Sequence, residues 1–172
     1  MCIRDRYHLS ETGRQMAELA AAELARRAAD GARIVWLGAS PLTRAQETAA
    51  PVSRELGLPV HTDERLIEAG NWFEGLHVDR RELAGSPRHW PKLLNPLRPS
   101  WGEPYREQVI RMAEAVKAAA VRAVELGGDG AEAVLVSHQL PIWILRRSIE
   151  GRSLPHDPRS LSLIHISEPT RQ

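Results

Sequence analysis

Residues Ala131–Arg147 read AEAVLVSHQLPIWILRR: an apolar run that stops at Ser137-His138-Gln139 and resumes, past Pro141, with the spacing of a helix. A short β-branched run bounded by turn residues is the pattern of a buried strand, and a polar tip followed by a helix start is how α/β folds deliver side chains to a ligand. The upstream turn Gly127-Gly128-Asp129-Gly130 separates this strand, Ala133 to Val136, from a long amphipathic segment, Glu103 to Leu126. The downstream helix is expected over about Pro141 to Glu150.

The same alternation recurs toward the N-terminus. Ser10 is a good helix N-cap, and the alanine-rich stretch Glu11 to Ala29, with Met16, Leu19 and Leu24 near helical spacing, reads as a helix ending at Asp30-Gly31. The run Arg33 to Gly38, RIVWLG, reads as a second buried strand. Ser40-Pro41 then suits an N-cap with proline at the first helical position, opening a helix that runs to about Leu56 and stops at Gly57 and Pro59. Pro59 to Thr62 can form a short edge strand. From Asp63 to Pro104 the composition shifts to Trp, Pro, Arg and His with weak periodicity, predicting loops and short helices that cap one end of the sheet.

Helix, strand, helix, strand, helix with short connections predicts an α/β fold, a three-layer α/β/α sandwich around a mostly parallel sheet. Ligands in such folds sit beyond the carboxyl ends of the strands. Two strand ends carry polar residues there: Gly38-Ala39-Ser40, leading to Arg44, and Ser137-His138-Gln139. Each precedes a helix start, whose N–H groups favour an anion. The expected ligand is a small anion, most simply a phosphate, between an arginine and a histidine.

Composition narrows the alternatives. The chain has 172 residues, a formal net charge of +1 and one cysteine, Cys2. A near-neutral chain has no global attraction for nucleic acid or acidic membranes, and no basic stripe with interleaved aromatics supports nucleic-acid binding. No apolar run is long enough to span a bilayer. A single cysteine excludes an internal disulfide framework and fits a reducing, cytoplasmic location. His61, His77 and His89 lack metal-ligand spacing, LGGDG lacks the Lys-Ser/Thr of a phosphate-binding P-loop, and no Gly-x-Ser-x-Gly elbow is present. No metal or other cofactor is expected, and the sequence carries no signal of oligomeric state.

Four segments resemble motifs of the histidine phosphatase superfamily, which includes the phosphoglycerate-mutase-like enzymes. SPLTRAQETA (Ser40–Ala49) is similar to its Ser-x-Leu-x-Arg-Ala-x-x-Thr-Ala motif, LSETGRQMA (Leu9–Ala17) to its Leu-Thr-x-x-Gly helix start, ERLIEAGNWFEG (Glu64–Gly75) to its Leu-x-Glu…Glu-Gly segment, and VLVSHQ to its Val-Ser-His-Gly. Met1–Asp5 and Leu163–Gln172 resemble translated sequencing-adapter read-through instead, so residues 1–6 and 163–172 are expected to be non-native tails. The domain is then expected over 7–162, with its cap at about 63–104, as a truncated sandwich missing its first strand and its last.

The resemblance implies a phosphomonoester hydrolase working through phosphohistidine on a small phosphorylated substrate. A histidine in an Arg-His-Gly motif attacks phosphorus, and a carboxylate protonates the leaving oxygen. Carried over, Arg44 would clamp a phosphate oxygen, His138 would donate to the transferring phosphoryl group with help from the Gln139 backbone N–H, and Glu68 would be the general acid. This sequence departs from the pattern in three places. Arg-His-Gly is absent, the upstream His8 being followed by Leu9; Gln139 replaces a glycine; and Glu68 precedes Glu74 by one residue fewer than the family spacing. The chain as given is therefore expected to be inactive through loss of its nucleophile. A non-catalytic phospholigand-binding relative is the first alternative. A mutase-type phosphotransferase is the second, disfavoured because the stretch between Gly75 and Gly102 is short for the mutase cap.

Plainer readings stand beside these. Arg44 could be a solvated helix residue paired with Glu47 at i+3, His138 a hydrogen-bonded turn residue, and Glu68 a solvated acid. Glu74-Gly75 could be a turn. Trp72, Phe73, Trp90 and Trp101 could shape a substrate pocket or equally pack the cap, and Arg80, Arg81, Arg88 and Arg98 could meet an anionic substrate tail or, more simply, form a solvated charged face.

Overall fold

A computed structural model describes residues 7–68 and 103–154. The expected cap from residue 69 to 102 and both expected tails, with Glu74, Gly75 and the tryptophans and arginines of the cap, lie outside the described residues. Those described form helix α1 (Glu11–Ala29), strand β1 (Ile34–Ala39), helix α2 (Thr43–Leu56), strand β2 (Val60–Thr62), a 3-10 turn at Glu64–Leu66, helix α3 (Tyr105–Gly127), strand β3 (Glu132–Val136) and helix α4 (Gln139–Ile149). The sheet order is β2-β1-β3, and both pairings are parallel, with Leu37 opposite Val60 on one side and Val134 on the other.

Strand alternation builds the three layers. Leu37 packs with Ala21 and Val52, joined by Leu24, Leu56, Leu58, Val60, Val134 and Val136, so α1 and α2 cover one face. Leu135, one residue out of phase with Val134 and Val136, belongs to the opposite cluster of Leu66, Met112 and Ala115, with Leu145 from α4. The expected α/β/α layering and parallel sheet are therefore found, in a small sheet of three strands among the described residues.

Helix α1 keeps its expected bounds, with the Ser10 hydroxyl accepting from the Gly13 N–H at 3.1 Å. Its buried stripe differs from expectation. Ala17 and Ala21 are buried, while Met16 and Leu19 are 55% and 72% exposed. An alanine stripe lets the α2 backbone approach closely, and this turns the larger neighbours outward.

Two helix starts also move. Helix α2 begins at Thr43 with Leu42 at its N-cap, so Ser40 does not cap it. The Ser40 N–H instead donates to the Val136 carbonyl at 2.9 Å, extending the sheet ladder by one residue, and its hydroxyl is engaged elsewhere. Helix α4 begins at Gln139 with His138 at the N-cap, which places Pro141 within the first turn rather than at its start. Proline is tolerated there because first-turn N–H groups have no acceptor within the helix. At the other end of β3, a Cβ on Gly127 would lie 2.7 Å from the Ala131 Cβ, so the α3–β3 corner closes only around a glycine.

Candidate functional site

The carboxyl ends of β1 and β3 lie side by side, and each delivers a polar residue to the same place. Ser40 follows β1, Arg44 stands in the first turn of α2, and His138 follows β3. Glu68 arrives from the 3-10 turn, which is anchored twice: the Ser137 hydroxyl donates to the Leu66 carbonyl at 2.7 Å, and an Arg111 guanidinium N–H donates to the Arg65 carbonyl at 2.6 Å.

The structure brings Arg44, His138 and Glu68 together. Arg44 Nε donates to His138 Nδ1 at 3.3 Å, and Glu68 Oε2 stands 3.9 Å from both Arg44 Nη2 and His138 Nδ1. The Arg44 and Glu68 side chains are about a quarter exposed, at 28% and 27%, whereas His138 is buried. On its other side, His138 Nε2 lies 2.8 Å from Ser40 Oγ. Gln139 occupies the first position of α4, at the helix end facing this group.

This geometry disposes of two plainer readings. Arg44 does not pair with Glu47: one Glu47 oxygen lies 2.6 Å from His8 Nδ1, and the other accepts from the Leu9 N–H at 2.6 Å. Those contacts, the Leu9 bond first, hold the Glu47 carboxyl below its usual range. Glu68 is likewise not a solvated acid, since it stands beside a cation and a buried imidazole.

Burial, then the charges of Arg44 and Arg111, pushes the His138 imidazole down to about 4. With no anion between these groups, His138 is therefore neutral near neutrality and accepts from Arg44 through Nδ1. Arg111 is held by the Glu103 carboxylate through two bonds of 2.7 Å. The cluster thus offers a planar cationic fork, a second cation behind it, an imidazole that can gain a proton, and a carboxyl group, all at a helix N-terminus. That combination neutralises an oxyanion and can move a proton to or from it. Among the described residues, no group of three or more His, Cys, Asp or Glu could hold a metal ion.

Four participants stand outside the candidates that the sequence names. Ser40 reads there as a polar strand end and a helix cap, with no bond to His138 foreseen. Gln46, whose amide donates to the Ser40 carbonyl at 2.7 Å, sits two residues past Arg44 within the motif. Arg111 and Glu103 have no helical spacing to betray them, being eight residues apart across the start of α3.

The fold and this cluster define a class, and comparison with known proteins supplies the family. Residues 1–170 match the family model of the histidine phosphatase superfamily (branch 1), and the chain belongs to that superfamily. Two uncharacterized proteins from strains of Mycobacterium tuberculosis are each 49% identical to it over 154 residues, which is 89% of this chain and 71% of each relative. Among solved structures, mycobacterial glucosyl-3-phosphoglycerate phosphatase in complex with inorganic phosphate aligns with TM-score 0.66 and 27% identity, covering 90% of this chain and 75% of that one. The same enzyme complexed with VO3 aligns with TM-score 0.63 and 25% identity, covering 86% and 71%.

Proposed function

We propose that this chain carries the phosphate-binding half of a metal-independent phosphomonoesterase site that takes a small phosphorylated substrate. One observation supports the reading above the rest: Arg44, His138 and Glu68, from three separate segments, converge within 3.9 Å at the carboxyl ends of two parallel strands. A phosphoryl group entering between Arg44 and His138 would replace their mutual hydrogen bond. Arg44 would take two of its oxygens through its fork of donors. His138, protonated by the arriving charge, would donate from Nδ1, and the Gln139 N–H would add a contact at the helix end. Glu68 would serve as the proton donor to the leaving oxygen. Structural similarity to a phosphatase with bound inorganic phosphate supports the ligand class.

Hydrolysis through phosphohistidine also needs an attacking imidazole. Among the described residues, the histidine ahead of α1, His8, is bonded to Glu47, which favours a second reading, a phospholigand-binding protein without turnover. A panel of phosphate esters, run beside calorimetric binding of inorganic phosphate, separates the two. Phosphate binding lost in His138→Gln supports the half-site in this chain; turnover by a longer form of the protein carrying an upstream Arg-His-Gly supports the enzyme, and binding without turnover by such a form supports the second reading. Neither binding nor turnover would sink both.

A further inference from the structure

Ser40 is fully buried, yet every polar atom it owns is used by a different part of the fold. Its N–H donates to Val136 O at the end of β3, its carbonyl accepts from the Gln46 amide of α2, and its hydroxyl accepts from the Leu42 N–H at 3.4 Å. The same hydroxyl lies 2.8 Å from His138 Nε2. A serine beside a histidine and a carboxylate suggests a nucleophile, but a hydroxyl with no exposure cannot reach a substrate.

The proton inventory assigns it another task. Arg44 Nε is always a donor, so its bond to Nδ1 requires Nδ1 to be the bare nitrogen of the neutral ring. Nε2 then carries the hydrogen and donates to Ser40 Oγ. Protonation of the ring adds a hydrogen at Nδ1 and leaves the Nε2–Ser40 bond unchanged. The charged groups facing the imidazole are Arg44 from α2, Arg111 from α3 and Glu68 after the 3-10 turn, and both Arg44 and Glu68 lie on the Nδ1 side.

We propose that Ser40 is the positioning residue of His138: by accepting from Nε2–H in both protonation states, it fixes the ring so that Nδ1 alone faces the ligand. This deepens the phosphate-site reading and rests on it for the identity of the ligand. The consequence is a one-sided histidine, whose ligand-facing nitrogen is the only one that changes its proton.

The test is 15N NMR of the histidine rings in the chain as given, with His138 assigned by its loss in His138→Gln and inorganic phosphate as the probe. Unmutated protein near neutral pH should show the Nε2–H tautomer at His138. Ser40→Ala, with Arg44 still holding Nδ1 bare, should shift the His138 Nε2 resonance through loss of its acceptor and weaken phosphate binding about tenfold, as expected for one lost bond to a group that becomes charged. Ser40→Thr, which keeps the hydroxyl, should restore both. The Nδ1–H tautomer in the unmutated protein overturns the proposal without any variant having to fold. So does a folded Ser40→Ala protein with unchanged Nε2 resonance and phosphate response. If the tautomer results hold while phosphate leaves His138 unmoved, the positioning role stands and the phosphate reading fails.

Discussion

Anion binding at this site should consume one proton, and pH should therefore set its strength. Burial first, then Arg44 and Arg111, pushes the imidazole of His138 from its ordinary 6.5 down to about 4. An anion about 4 Å from the ring opposes that shift, since even one negative charge at that distance and an effective permittivity near 20 contributes about 4 kcal/mol. The complex should then titrate well above the free protein. Below about 4 both states carry the proton, and above the range of the complex neither does. Between those limits only the complex carries it, so affinity should fall about tenfold for each unit of rising pH. Sulfate is the cleaner probe, because it does not titrate in this range. The assay is calorimetric titration with sulfate from about pH 5 to about pH 8, in buffers of different ionisation enthalpy that count the protons taken up. An affinity flat across that range, or an equal slope in His138→Gln, would refute the coupling.

Three further outcomes follow from the same contacts. Because the folded state lowers the His138 pKa, folding stability should be full above about 6.5 and decline as pH falls toward about 4, by about 3 kcal/mol in all; urea unfolding across that window should show the slope, and His138→Gln should flatten it. Arg44→Lys keeps the charge but loses Nε and the planar fork, so sulfate affinity should drop about tenfold to a hundredfold with little change in thermal stability. Gly127→Ala would press a methyl 2.7 Å from the Ala131 Cβ and 3.1 Å from Val35, and denaturant unfolding should record a loss of about 1–3 kcal/mol.

The parts of the fold that were legible in the sequence are those governed by local rules. Apolar runs closed by glycine turns marked β1 and β3, and Ser10 with the alanine-rich run marked α1 to the residue. Alanine, however, is apolar enough to join any stripe, so spacing alone favoured Met16 and Leu19, and only the approach of α2 selects Ala17 and Ala21. Ser40-Pro41 carried the chemistry of a helix start, but a tertiary demand, the ladder to Val136 and the bond to His138, took the serine away. At the site, strand-end placement pointed to Arg44 and His138, which the structure brings into contact. Arg111 escaped, because its influence comes from packing α3 against the 3-10 turn, which no sequence spacing records.

The bond between Arg44 and His138 also bears on what the histidine contributes. A neutral imidazole bonded to a guanidinium is a closed pair: Arg44 spends a donor on a ring that has no charge to offer an anion. An arriving oxyanion changes both partners at once, drawing the Arg44 donor away and placing a negative charge where a proton on Nδ1 becomes favourable. Among the described residues, Glu68, 3.9 Å from both, is the nearest carboxyl group able to exchange that proton. Glu68→Gln should therefore leave the equilibrium proton uptake on sulfate binding near one, since the proton can still come from solvent. Replacing His138 should abolish it. Retained uptake in His138→Gln together with loss in Glu68→Gln would place the proton on the carboxylate, and the site would then be a protonated acid beside a permanently neutral ring.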